Sequence, residues 1–342
     1  MRTMPMRSMA MRMMTVLAAV LALHARAAGQ SSHTHSEMID DDRRITVDAR
    51  GQVRFTDDDQ GVAWMEPGAR MSVEESNRGE PERRVVWREE GGRVRRTFYL
   101  DGRETAPDAG DEAWIRRALL QPIRESGAYA TQRVTRIHRR GGTDAVLDEI
   151  RQIAGDGAKR AYYTALLRLP AVRGDDAARV LLHAGRGIAS DGDKRTVLTT
   201  GLERFRGDRQ VTEAAVRAAA RIASDGDKSS VLRSATEGGA LRDPAVREAF
   251  MQTARGIASD GDKSSVLIAA MASEGSAATA ASALRVARTI ASDGDKTRVL
   301  TSTSPSVLRN GEVRSAFSAA LQTIASDGDR SRAATWLARS LP

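Results

Sequence analysis

The chain has 342 residues, 41% of them hydrophobic and 4% aromatic, which is enough apolar material for folded cores and excludes wholesale disorder. It contains no cysteine, so disulfides, thiol catalysis and cysteine-based zinc sites are excluded. The formal charge is +8, falling to +4 if the leader described next, with Arg2, Arg7, Arg12 and Arg26, is removed; that is too mild for a nucleic-acid binder.

Residues 1–28 read as a signal peptide. Arg2, Arg7 and Arg12 form a positive start, Met13 to Leu23 is apolar, and Ala25-Arg26-Ala27 resembles a cleavage site. The apolar run is shorter than the roughly 20 residues a membrane-spanning helix needs. The expectation is export to the periplasm or medium, with no transmembrane span once the leader is cleaved; an uncleaved anchor is the alternative. Residues 29–44 are polar and predict a flexible linker; His33 and His35 lack the carboxylates that would make them a metal site.

From Ile45 to Leu100 the apolar period is two: Ile45 and Val47, Val53 and Phe55, Val62 and Trp64, Met71 and Val73, Val85 and Trp87, then Val94, Phe98 and Leu100. With Pro67-Gly68 and Gly91-Gly92 as turns, residues 45–108 predict a small antiparallel β domain of five or six strands with one aromatic face. Arg83, Arg84, Arg88, Arg93, Arg95 and Arg96 crowd its last hairpin. They read as a solvated face balanced by Glu82, Glu89 and Glu90, or as an anion-binding patch. Residues 109–152 predict connecting helices, the first interrupted by Pro122 and the second ended by Gly141-Gly142. Arg133, Arg136 and Arg140 share one side of the second, which reads as an exposed face.

From residue 153 to 342 a repeat takes over. Ile-Ala-Ser-Asp-Gly-Asp-Lys begins at Ile188, Ile222, Ile257 and Ile290, with variants at Ile153 (IAGDGAK) and Ile324 (IASDGDR); the spacings are 35, 34, 35, 33 and 34 residues. Helical periodicity on both sides of the phrase makes each unit a pair of helices that cannot bury its apolar stripe alone. The predicted fold class is therefore α+β, mainly α: a C-terminal α-solenoid of about six HEAT-like helix hairpins preceded by the small β domain. In the first copy Tyr162-Tyr163 replaces Val-Leu, and these tyrosines are expected to pack toward the preceding domain.

Within the phrase, Ser190, Ser224, Ser259, Ser292 and Ser326 are placed as helix N-caps. Asp193, Asp227, Asp262, Asp295 and Asp329 lie three residues on, as partners in an imperfect capping box. A variant ends the preceding helix at Gly192 in a left-handed conformation and caps with Asp193. The serine cap satisfies more orphan N–H groups. The functional alternative is a calcium ladder of Asp191 and Asp193, Asp225 and Asp227, Asp260 and Asp262, Asp293 and Asp295, Asp327 and Asp329. Calcium takes about six to eight oxygens, which one turn does not supply, and a lysine sits beside most pairs. No cofactor is called.

No H-E-x-x-H, G-x-S-x-G, S-x-x-K or phosphate-binding glycine loop is present, and His138 and His183 are each isolated on a predicted helix. The order of Arg96-Thr-Phe-Tyr-Leu-Asp-Gly-Arg-Glu104, Trp114, Arg133-Val134, Arg139-Arg140-Gly141-Gly142, Ala145-Val-Leu-Asp-Glu-Ile150 and the Ser-Asp-Gly-Asp-Lys-x-x-Val-Leu units resembles the extracytoplasmic region attached to membrane metallopeptidases of the beta-lactam-sensing antirepressor family. The peptidase part and its zinc motif are absent from the chain, so the resemblance implies a sensor-like or regulatory module outside the cytoplasmic membrane and no catalytic residue. The expected function is an exported, non-enzymatic scaffold that binds an envelope protein or peptide, with a partner surface on the second helices at Arg195-Thr196, Ser229-Ser230, Ser264-Ser265 and Thr297-Arg298. A divalent-cation-binding repeat protein and an envelope enzyme of unrecognised type are the alternatives.

Overall fold

The computed structural model describes residues 33–40 and 43–341, so the leader at 1–28 and the first part of the linker lie outside the described residues. The chain divides into two compact units between Tyr129 and Ala130.

In the first unit, β1 (His33–Asp40), β2 (Arg43–Arg50), β5 (Arg70–Asn77), β6 (Arg83–Glu90), β7 (Arg93–Leu100) and β8 (Arg103–Thr105) form one antiparallel sheet in the order β1-β2-β5-β6-β7-β8. β3 (Val53–Phe55) and β4 (Val62–Met65) form a separate two-stranded sheet. Alternation puts Ile45, Val47, Met71, Val73, Val85, Trp87 and Phe98 on one buried face. The hairpin at Gly91-Gly92 closes in two residues with φ of 61° and 82°, a turn that glycine adopts without strain. Glu89 is not a surface counter-charge: its carboxylate accepts the N–H groups of Gly68 and Gly92 at 2.9 and 2.7 Å.

Three expectations change here. The flexible linker expected at 29–44 is instead a strand over His33–Asp40, which pairs residue for residue with β2. The open edge of β2 offers unpaired backbone groups, and Glu37–Arg44 and His33–Asp48 contacts add side-chain pairing. In the small sheet the register shifts between Arg54 and Phe55, so Met65 is buried while Trp64 is 36% exposed under the Arg54 guanidinium, 4.3 Å from its ring centre. The connecting region 109–152 also divides. The first helix, α1 (Ala109–Ser126), belongs to the β unit, laying Trp114, Ile115, Ala118, Leu119 and Ile123 into the sheet's core. It runs through Pro122, because Leu119 and Ile123 on either side remain buried in that core.

Glu75, on the inner face of β5, ties sheet to helix. One carboxylate oxygen accepts Arg43 Nε–H at 2.6 Å and the other accepts Trp114 Nε1–H at 2.5 Å. Burial alone would push this carboxyl up, but the two donors and the charges of Arg43 and Arg83 outweigh it and hold it below the ordinary range.

The second unit begins with α2 (Ala130–Arg151), kinked at Gly141 and Gly142, where Gly142 has φ of 67°. Arg133 and Arg136, expected on an exposed face, are 2% and 9% exposed. Arg133 turns inward because Glu149 and the Tyr162 hydroxyl meet its guanidinium at 2.9 and 2.6 Å. Two layers of helices follow. One contains α3 (Asp156–Arg168), α5 (Asp191–Arg204), α7 (Asp225–Ala235), α9 (Asp260–Glu274), α11 (Asp293–Thr301) and α13 (Asp327–Ser340). The other contains α4 (Gly174–Gly187), α6 (Arg209–Ala219), α8 (Pro244–Arg255), α10 (Ala277–Ala287) and α12 (Gly311–Leu321). Each helix packs on the next of its own layer and on its hairpin partner, giving the α-solenoid that the period predicts.

The repeated apolar positions are its core. Ile153, Ile188, Ile222, Ile257, Ile290 and Ile324 are each 1–2% exposed. Val197-Leu198, Val231-Leu232, Val266-Leu267 and Val299-Leu300 are fully buried, and Tyr162-Tyr163 occupies the same slots in the first copy. Close packing is also written in small residues. A Cβ on Gly185 would stand 2.7 Å from that of Ala218, so the glycine sets how near α4 and α6 approach.

Replacing Glu75 by Ala is expected to cost the first unit about 1.5–3 kcal/mol at neutral pH, since it strands Trp114 Nε1–H and Arg43. The folded pKa lies below the ordinary 4.5, so the wild-type contribution is complete above that value and lost as pH falls through the folded value. The gap between wild type and Glu75→Ala should therefore close on acidification below about pH 4. Urea denaturation followed by tryptophan fluorescence reads it, as Trp64, Trp87 and Trp114 all lie in this unit.

Candidate functional site

The repeated phrase is the densest polar constellation in the second unit, and its geometry assigns each residue a task. Ser190, Ser224, Ser259, Ser292 and Ser326 are the N-caps of α5, α7, α9, α11 and α13. Each hydroxyl accepts the N–H of the aspartate three residues on, Asp193, Asp227, Asp262, Asp295 or Asp329, at 3.2–3.3 Å. Gly192 is helical, within α5, rather than a left-handed terminator.

The reciprocal half of the capping box comes from elsewhere. The N–H groups of Ala189 and Ser190 donate to Asp156 of the preceding repeat, at 2.9 and 2.7 Å. Asp191 takes those of Ala223 and Ser224, Asp225 those of Ala258 and Ser259, Asp260 those of Ala291 and Ser292, and Asp293 those of Ala325 and Ser326, all at 2.7–3.2 Å. The first aspartate of each phrase thus caps the next repeat. The second is left to side-chain pairs: Asp193 meets Arg160 at 2.7 Å and Asp227 meets Arg195 at 2.9 Å, again from the preceding repeat. An aspartate can close the box, as Asp111 does on Asp108 at the start of α1, but in the repeats the neighbour's carboxylate already fills the position.

The lysines complete the joint. Lys194, Lys228, Lys263 and Lys296 are only 3–7% exposed. Lys194 Nζ donates to Asp191 Oδ1 at 3.0 Å and to the Arg221 carbonyl at 3.3 Å; Lys228, Lys263 and Lys296 reach the Gly256, Thr289 and Thr323 carbonyls at 3.3, 3.5 and 2.8 Å. Those carbonyls lie just beyond α6, α8, α10 and α12, where the helix dipole is negative. Each repeat therefore grips both the start of the next repeat's second helix and the end of its first.

This wiring explains the atypical copies. The first keeps Asp156 and Lys159 and dispenses with the serine and second aspartate. In the last, Asp327 has a 99% exposed side chain, and Arg330 turns back to the Ile324 and Ala325 carbonyls at 3.1 and 2.9 Å.

The joint is also saturated against a cation. Asp191 Oδ2 holds two N–H groups and Oδ1 an ammonium, which occupies the place a metal ion would need. Among the described residues no group of three or more His, Asp or Glu side chains could hold one. Burial pushes the Asp191 carboxyl up, but the Ser224 N–H, Lys194 and the Ala223 N–H together carry it below the ordinary carboxylate range; the Ser326 N–H foremost lowers Asp293. Stability from these joints is present above the unfolded carboxylate pKa and lost as pH falls through the lowered one.

Of the eight residues expected on a partner surface, Arg195, Thr196, Ser230, Ser265 and Arg298 are exposed or half-exposed and three are not. Ser229, Ser264 and Thr297 are 0–2% exposed, lying between repeats rather than on the surface. On neighbouring α5, α7 and α9, Thr196 and Thr200, Ser230 and Ser234, and Ser265 and Ala269 are half-exposed, while the equivalent positions at α11 are Arg298 and Ser302. Positions i and i+4 share a helix face, so the first three pairs make an uncharged strip of small side chains across three helices.

Of the two helix-borne histidines, His138 is half-buried, and His183 Nδ1 lies 2.5 Å from the Tyr163 hydroxyl within the second unit. Burial, then Arg151 and Arg186, lower His183, and burial foremost raises Tyr163, so the pair stays neutral. Tyr162 and Tyr163 thus find their partners in Arg133 and His183. No helix among the described residues is long and apolar enough to cross a membrane.

Asp225→Ala is expected to destabilise the second unit by about 1–2 kcal/mol by removing the charged acceptor of the Ala258 and Ser259 N–H groups, whereas Asp327→Ala, which accepts no such pair, should change it by less than about 0.5 kcal/mol. Chemical denaturation followed by helical circular dichroism checks both.

No family model, curated protein or solved structure matches this chain.

Proposed function

We propose that the protein is an exported, non-catalytic helical-repeat scaffold, sensor-like or regulatory in role, whose second-helix layer binds an envelope protein or peptide. One observation carries the reading. The invariant part of the repeat is consumed by the joints between repeats, while the half-exposed strip of Thr196, Thr200, Ser230, Ser234, Ser265 and Ala269 is free of charge and of bulk. Small side chains let a partner segment approach the helices closely, and a rigid stack presents them without ordering cost to itself. The signal-like leader supports placement in the periplasm or outside the cell, and the resemblance to the extracytoplasmic region of antirepressor-type peptidases supports a sensing or regulatory role.

The double substitution Thr200→Arg with Ala269→Arg places two long charges on the strip without touching the joints. In pull-downs from cell-envelope extract, the full wild-type chain should enrich a defined protein set and the double variant should lose it by about tenfold or more, as buried charge and bulk at an interface cost several kcal/mol. Equal enrichment by both chains, or none by the wild type, overturns the proposal.

A further inference from the structure

The strand register assembles a feature that no single stretch of sequence contains. On the face of the six-stranded sheet opposite the core, Arg50 of β2 lies directly across from Arg70 of β5, Arg70 from Arg88 of β6, and Arg88 from Arg95 of β7. The four arginines form one straight row across four adjacent strands, and all four are exposed. With strands about 4.8 Å apart, the row is roughly 14 Å long.

Like charges directly opposite one another destabilise a sheet, so a row of four is a standing cost to folding. Neighbouring carboxylates do not remove it. Arg95 meets Glu90 at 3.2 Å and Arg50 approaches Asp48 at 3.9 Å, both at the ends of the row. Among the described residues, the two central arginines, Arg70 and Arg88, form no ion pair. Three other arginines of the last hairpin have partners: Arg83 lies 3.5 Å from Asp111, Arg96 pairs with Glu112, and Arg84 stacks on Tyr99 at 4.5 Å, while Arg93 is exposed beside the turn.

We infer that this row binds a linear phosphate-bearing polymer laid across the strands. Guanidinium forks match phosphate oxygens two at a time, and four in line suit a chain of closely spaced anions better than a single one. The surroundings narrow the class. The adjacent row on the same face is Asp48, Ser72, Val86 and Thr97, which offers neither aromatic planes for stacking bases nor a pocket for a peptide's side chains, and its one carboxylate, Asp48, lies 2.9 Å from His33. Tyr99, the aromatic on this face, is covered by Arg84. The inference concerns the first unit and does not depend on the strip in the second.

The test uses the full chain and linear inorganic polyphosphate, read by calorimetry over a range of salt concentrations. The expected result is binding whose log affinity falls with log salt at a slope of about −3, close to 0.7 counterion for each of four phosphates neutralised. Arg70→Thr with Arg88→Thr should weaken binding by about tenfold or more and halve the slope. The same variant should melt at the same temperature as wild type or higher, because it relieves the like-charge row. Arg309→Thr, an exposed arginine in the second unit, should bind as wild type does. No binding at low salt, binding indifferent to Arg70 and Arg88, a lower melting temperature in the threonine variant, or equally tight binding of polyglutamate each overturns the proposal.

Discussion

A helix that starts inside a stack of repeats brings N–H groups with it that its own chain turn leaves without an acceptor. In this protein the missing acceptor is supplied by the repeat before. The carboxylate of the first aspartate in each phrase spans to the Ala-Ser N–H pair about thirty-four residues later, and the buried lysine beside it binds the carbonyl end of the neighbouring helix. One acid and one base thus satisfy both kinds of orphan helix-end group across a single joint, and at Lys194 and Asp191, 3.0 Å apart, their mutual contact offsets the desolvation of each. The apolar Ile and Val-Leu positions supply burial, but burial is indifferent to small slips between helices; the polar joint is what sets the register of one hairpin on the next.

The β unit uses the same logic once. Glu75 sits in an otherwise apolar layer and is tolerated because Arg43 and Trp114 take both its oxygens. This contact draws α1 into the sheet's core, which is why a helix expected to connect two domains belongs to the first. On the opposite face the arginines have no comparable arrangement, and the contrast separates charges that build the fold from charges left available to a ligand.

The phrase as a whole is more economical than a cap or an ion site considered alone. Its serine caps locally, its first aspartate acts forward, its second aspartate pairs with an arginine of the preceding repeat at Asp193 and Asp227 and of its own helix at Asp295 and Asp329, and its lysine crosses layers. The degenerate first copy retains only Asp156 and Lys159, the members that act on the repeat after it, whereas the copy at Ile324 keeps Asp327 as a 99% exposed side chain.

Periodicity alone determined a great deal: a recurrence near thirty-four residues can only be resolved by stacking, alternation from Ile45 to Leu100 requires strands with one buried face, and Ser before Asp-Gly-Asp marks helix starts, because each of these follows from side-chain direction within one element. What it could not determine were the partners that lie one repeat or several strands away. The forward reach of Asp191 and its counterparts, the burial of Lys194, Arg133 and Ser264, the pairing of His33–Asp40 with β2, and the alignment of Arg50 and Arg70 with Arg88 and Arg95 all depend on which elements meet and in what register. Local sequence encodes direction and period; only the packed structure decides which unsatisfied groups face one another.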